Sequence, residues 1–157
     1  MKRFSLLLLL MVMAPPIWAQ GELTTATDLA ALGQQAKREG KPVVVFFYQE
    51  QCHYCETVRK QYLQPMQRDG SAAERMLLRK LDTRGDAVIR DFSGKQLRQQ
   101  QFAHRERKTF TPTLAFYGPN GERLTRPLVG LKGGRDYYGH YLDKGIEAAQ
   151  AALEDLR

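Results

Sequence analysis

The sequence predicts an α/β fold, a three-layer sandwich with a mixed four-stranded central sheet flanked by helices. Three observations predict it. Pro42-Val43-Val44-Val45-Phe46-Phe47-Tyr48 is an unbroken β-branched and aromatic run, the pattern of a strand buried on both faces. Helix-patterned segments alternate with such runs, which requires crossover connections within one sheet. Late in the chain, two strand-like runs flank Gly118-Pro119-Asn120-Gly121, a turn that brings the backbone back antiparallel to itself.

Residues 1–19 stand apart from this pattern. Lys2 and Arg3 precede an apolar run from Phe4 to Met13, and Ala14-Pro15-Pro16-Ile17-Trp18-Ala19 ends on a small residue. This is the layout of a secretory signal peptide cleaved after Ala19. About fifteen apolar residues interrupted by prolines are too few for a membrane anchor. The rest, 20–157, has the length and composition of a single domain, exported to a compartment where cysteines can oxidise. Cleavage removes two of the 24 basic residues and none of the 17 acidic ones, which leaves a formal net charge of +5. Those charges are interleaved with acids, even in Arg105-Glu106-Arg107-Lys108, and no basic stripe carries stacking aromatics. A solvated surface is expected, and no nucleic-acid partner.

Each element follows from local chemistry. Residues 27–39 suit a helix: Thr27 or Asp28 can cap it, Leu29, Leu32 and Ala36 share a face, and Gly40 suits its stop. The strand at 42–48 is followed by a helix over 52–64, ended by Pro65. Met76–Asp82 is the second strand, and Gln96–His104 reads as a helix. Thr113–Tyr117 is the third strand, and Glu122–Val129 can return as the fourth. Residues 134–155 close the chain as a helix, with Tyr138, Tyr141, Leu142 and Ile146 towards the core.

Cys52-His53-Tyr54-Cys55 falls at the junction between the first buried strand and its helix. A helix N-terminus stabilises negative charge, so Cys52 should have a lowered pKa and be the attacking thiolate. One turn on, Cys55 lies on the same side and can close a small ring. Attack by Cys52 on a partner disulfide gives a mixed disulfide, and attack by Cys55 then releases the partner and leaves the Cys52–Cys55 bond. Two other readings stand beside this one. A purely structural bridge closing so short a loop adds little stability. A metal site could use Cys52, His53 and Cys55, but His104 and His140 are far off in sequence and no fourth ligand is evident. No nucleotide, flavin or phosphate-loop motif is present, so no cofactor is expected.

Thr111-Pro112 opens the third strand, where proline is tolerated because it withholds only a donor. Together with the cysteine motif, Phe116-Tyr117-Gly118-Pro119-Asn120-Gly121-Glu122 and Leu128-Val129-Gly130-Leu131-Lys132-Gly133-Gly134, it gives a chain that resembles the thioredoxin superfamily over nearly all of its mature length. Within it, the chain most resembles the exported, SoxW-like thioredoxins of bacteria. The resemblance implies a thioredoxin-like fold and a periplasmic thiol-disulfide oxidoreductase. It also implies a cis Thr111–Pro112 bond beside the cysteines. Substrate contacts are expected at Thr111, whose backbone pairs with the bound chain, and at Pro112, His53, Tyr54 and Gly130. The implied partners are protein disulfides or dithiols and a membrane electron donor.

The departures from that family are informative. Gln51 replaces the usual tryptophan and His53-Tyr54 the usual Gly-Pro. Phe46 stands where many thioredoxins bury an aspartate that accepts the resolving thiol's proton, leaving Glu50 or water for that role. Between Cys55 and Pro112 the chain is longer than in a compact thioredoxin, and the surplus is expected at Thr83–Gly94, as a surface loop or a partner-recognition insert. Tyr54-Cys55 resembles the ending found in exported disulfide isomerases, but the chain has no room for their dimerisation domain. A monomeric reductase is expected; the alternative is a metal or apo-protein carrier using the same cysteines.

Overall fold

The computed structural model describes residues 21–156, so the leader expected at 1–19 lies outside the described residues. The chain runs α1 (Leu29–Glu39), β1 (Val43–Tyr48), α2 (His53–Val58), a π-helical turn (Arg59–Leu63), α3 (Gln64–Arg68) and α4 (Ser71–Arg75). It continues with β2 (Leu77–Asp82), β3 (Val88–Arg90), β4 (Gln96–Arg98), α5 (Gln99–Arg105), β5 (Thr113–Tyr117), β6 (Leu128–Val129) and α6 (Gly134–Asp155).

The central sheet has the order β2-β1-β5-β6, with β1 parallel to β2 and antiparallel to β5, and β5 antiparallel to β6. This is the mixed four-stranded sheet that the sequence predicts. Because side chains alternate along a strand, β1 feeds two cores. Val44 and Phe46 join Val58, Leu63, Phe116, Tyr138, Leu142 and Ile146 on one face. Val43, Val45 and Phe47 join Leu29, Leu32, Phe102 and Tyr117 on the other. Burying each of these large side chains contributes about 1.5–3 kcal/mol, which makes β1 the hub of the molecule.

α1 begins where Asp28 accepts a hydrogen bond from the Ala31 N–H at 2.8 Å, and it stops at Gly40, whose φ of 65° is cheap only for glycine. Upstream, the chain lies along the β2 edge: Ala26 N–H donates to the Lys80 carbonyl at 2.8 Å, and Lys80 N–H to the Thr24 carbonyl at 2.9 Å. The free side of β2 is thereby covered.

Three expectations are corrected. Pro65 does not end the second helix, which runs on through α3 to Arg68. The π-helical turn just before it explains this, since Gln64 N–H reaches back five residues to the Arg59 carbonyl. The widened turn makes room for a ring that would otherwise meet the carbonyl four residues earlier. The helix expected from Gln96 starts only at Gln99, because Gln96–Arg98 pairs with Val88–Arg90 as a hairpin. The surplus at Thr83–Gly94 is therefore partly regular structure, anchored by Ile89 in the core beside α1. Finally, Glu122–Val129 is not one strand. It bridges β5 at Tyr117–Arg123, departs around Pro127, which has no N–H to donate, and pairs again only at Leu128–Val129.

Candidate active site

β1 ends at Tyr48, and Gln49-Glu50-Gln51 turns the chain into α2 with Cys52 as its N-cap. A sulfur here does what a serine oxygen does at other helix starts: Cys52 Sγ accepts a hydrogen bond from the Cys55 N–H at 3.2 Å. Cys52 and Cys55 are joined by a disulfide, with their Cα atoms 5.1 Å apart. The two sulfurs differ in access. Cys52 is half-buried, whereas Cys55 is only 3% exposed and packs in the core with Phe46 and Val58.

The other wall comes from the start of β5, where the Thr111–Pro112 peptide bond is cis. Thr111 Oγ1 lies 3.7 Å from Cys52 Sγ and donates to it. The Pro112 carbonyl accepts from the Gly130 N–H at 2.8 Å, and Thr113 Oγ1 donates to the Phe110 carbonyl at 2.7 Å. Gly130 has φ 66°, so the turn after β6 needs a residue without Cβ. Cys52, Cys55, Thr111, Pro112 and Gly130, far apart in sequence, thus meet at one end of the sheet. His53 and Tyr54 lie exposed on the first turn of α2.

Among the described residues the donors to Cys52 are both neutral, the Cys55 N–H and the Thr111 hydroxyl. Glu56, next to Cys55, is bound by Arg59 at 3.1 Å through Nε and by Lys60 at 2.7 Å. Hydrogen bonds from Arg59 and then Lys60 pull its carboxyl down to about 2. Among the described residues, no three His, Cys, Asp or Glu side chains gather into a group that could hold a metal.

The site has an apolar rim, of which sequence reasoning named Tyr54 and missed Phe110 and Val129. Phe110 is 69% exposed, Tyr54 58% and Val129 45%, and all three belong to segments that frame the disulfide. Phe110 adjoins Thr111, its ring edge lies beside Gly130, and Val129 pairs with Thr113. In sequence, Phe110 sits in a basic, polar stretch with no periodicity to mark it, so only its place before Thr111-Pro112 could have signalled a role.

The family model for the thioredoxin-like domain matches residues 31–144. No curated protein matches the sequence. Among solved structures, the chain is similar to one titled DsbH oxidoreductase, with a TM-score of 0.59 at 18% identity over 85% of this chain and 90% of that one. A thioredoxin from Fasciola hepatica gives a TM-score of 0.51 at 16% identity, covering 80% of this chain and 97% of that one. A poplar thioredoxin h mutant gives 0.52 at 19% identity, covering 81% and 85%. These likenesses are of fold. With the family match across most of the chain, they show that the protein belongs to the thioredoxin-like domain family.

Proposed function

We propose that the protein is a thiol-disulfide oxidoreductase that works as a reductase of protein disulfides in the bacterial periplasm. The observation that carries the reading is the asymmetry of the Cys52–Cys55 pair, one sulfur half-exposed at a helix start and facing Thr111, the other buried behind it. In the reduced protein Cys52 attacks the substrate disulfide as a thiolate. One substrate sulfur becomes bonded to Cys52, and the other leaves with the electron pair as a thiolate. Cys55 then attacks Cys52 Sγ, the mixed disulfide breaks, and the second substrate sulfur leaves. Two electrons have passed to the substrate, and the protein holds the Cys52–Cys55 disulfide.

The Cys55 N–H and the Thr111 hydroxyl are placed to stabilise charge on Cys52 while it is free. Thr111 N–H and carbonyl make no backbone hydrogen bond among the described residues, so both are free to pair with an extended substrate segment. The exposed rings of Phe110 and Tyr54 suit apolar residues flanking the substrate cysteine. The reducing direction is supported by the neutral character of both donors to Cys52: without a bonded cation the thiolate is stabilised modestly, which keeps the potential low. Export is supported by the leader pattern in residues 1–19.

The test is insulin reduction with dithiothreitol as electron source, together with the reduction potential against glutathione. The expected result is catalysed reduction and a potential below about −220 mV, on the thioredoxin side of the scale. No catalysis would overturn the reading, and a potential near about −120 mV would reverse its direction. Cell fractionation tests the location, with the protein expected in the periplasmic fraction without residues 1–19.

A further inference from the structure

Resolution of the mixed disulfide requires Cys55 to lose a proton, and the thiol is enclosed in a core whose neighbour Phe46 accepts none. A cavity of about 220 Å³ reaches Cys55 without touching Cys52 or Thr111. Around it stand Tyr48 and Glu50 from the end of β1 and the turn after it, Glu56 and Arg59 from the helix, and Lys80 from β2. Four of these five titratable groups are unsuited to the task. Burial, then the charges of Asp82 and Glu50, push the Tyr48 phenol up, so it stays protonated. Arg59 is a permanent cation. Glu56 holds Arg59 and Lys60, and its depressed carboxyl makes it a poor base. Lys80 is paired with Glu22 at 3.1 Å. Glu50 is different, since its carboxylate has no ion pair or side-chain hydrogen bond among the described residues.

We infer that Glu50 is the proton acceptor for Cys55, taking the thiol proton through this cavity. The inference rests on the exchange reaction proposed above and adds the fate of one proton. As the Cys55 sulfur bonds to Cys52 Sγ, the bond from Cys52 to the substrate sulfur breaks and its electron pair leaves on that sulfur. The Cys55 proton passes to the Glu50 carboxylate and from there to bulk water at the cavity mouth. Entry and resolution thereby use different sides of the disulfide: substrate arrives over Thr111, and the proton departs past Tyr48 and Glu50. The base sits on the turn before the cysteines rather than under them on the strand, where Phe46 stands.

The two thiol steps can be separated with dithiobis(nitrobenzoate). Attack by Cys52 releases one coloured thiolate, and resolution by Cys55 releases the second. In Glu50→Gln the first release is expected to be unchanged and the second slowed roughly tenfold at neutral pH. That deficit should close as pH rises and Cys55 ionises without help, and Glu50→Asp should restore part of the rate. A second release unchanged in Glu50→Gln, or slowed equally at every pH, overturns the assignment while leaving the exchange reaction standing. A wild-type protein that releases neither thiolate overturns the exchange reading and this inference with it.

Discussion

Thr111 Oγ1 lies 3.7 Å from Cys52 Sγ, a contact between residues 59 positions apart in sequence. Pairing of β1 with β5 creates it, because Phe47 opposite Thr113 sets the end of one strand beside the start of the other. Thr111→Val keeps the shape and removes the donor. Losing one hydrogen bond to a charged sulfur costs about 1.4 kcal/mol, so the Cys52 pKa should rise by about one unit. The reduced protein is then less stable, and the potential should fall by about 30 mV. The pH dependence of Cys52 alkylation and equilibration with glutathione measure the two shifts, and an unchanged pKa would mean that the hydroxyl does not stabilise the thiolate.

Unequal burial of Cys52 and Cys55 suits them to the different roles proposed above. Cys55→Ser should leave Cys52 able to attack and unable to let go, so the variant accumulates covalent adducts with substrate proteins. Cys52→Ser should form none, because the remaining sulfur is only 3% exposed. Non-reducing gels of the two variants after mixing with a disulfide-containing protein read this directly. Comparable adducts from both would assign the attacking role wrongly.

Phe110 offers an exposed apolar ring next to Thr111 and beside Gly130, and its hydrocarbon side chain has no group that could take part in thiol exchange. Truncation to serine should therefore act on binding. Covering most of such a ring is worth about 1.5 kcal/mol or more. Phe110→Ser should raise KM for a protein substrate roughly tenfold with kcat little changed, and leave reaction with a small disulfide unaffected. Equal losses on both substrates would place Phe110 in the support of the site rather than in recognition.

What sequence made legible were the elements whose pattern is strong over many residues. The run Val43–Tyr48 has no other explanation than a doubly buried strand, and the cysteines that follow it inherit their place at a helix start. Asp28 and Gly40 marked α1 because capping chemistry is local. The hairpin of β3 and β4 was hidden because each strand is only three residues long and carries arginines at its exposed positions. Its one strong signal, Ile89, is indistinguishable from any single apolar residue in a loop until α1 is packed against it. Pro65 misled because its local rule holds for an α-helix and the preceding turn is a π-helix. Phe110 gained meaning only from neighbours that folding supplies, whereas Glu50 stood out beforehand only because Phe46 leaves the family's usual proton acceptor missing, and the cavity is what singles it out over water.

Gly33 shows how packing can reverse a propensity. In the middle of a helix, alanine is normally favoured over glycine by about 1 kcal/mol. Here a Cβ would overlap the Pro119 carbonyl, a backbone atom that cannot swing aside, at the point where α1 meets the turn after β5. Gly33→Ala should destabilise the protein by about 1–3 kcal/mol despite the better helix former. Urea unfolding measures it, and a more stable variant would show that α1 and the turn separate at little cost.

Asp91 fixes the hairpin to α5 from a position only 1% exposed. Its Oδ1 accepts from the Ser93 N–H at 2.9 Å, the Ser93 hydroxyl at 2.7 Å and the Lys95 N–H at 2.9 Å. Its Oδ2 accepts from Arg105 at 2.7 Å, and that guanidinium also stands over the Phe102 ring. Burial alone would push the carboxyl up, but Arg105, Ser93 and the Lys95 N–H outweigh it and hold it below the ordinary aspartate value. The sign of the pH effect follows. A group depressed in the folded state contributes stability above its unfolded pKa and loses it as pH falls through the folded one. Asp91→Asn removes the charge and turns a donor against donors, at a cost of about 1–3 kcal/mol near neutral pH. Urea titrations of both proteins should show that gap narrowing as pH falls below the ordinary aspartate value of about 4 and on through the lower value of the folded state, where the wild-type carboxyl itself becomes protonated. A gap that stays constant into acid would mean that shape, and not the buried charge, is what holds the hairpin in place.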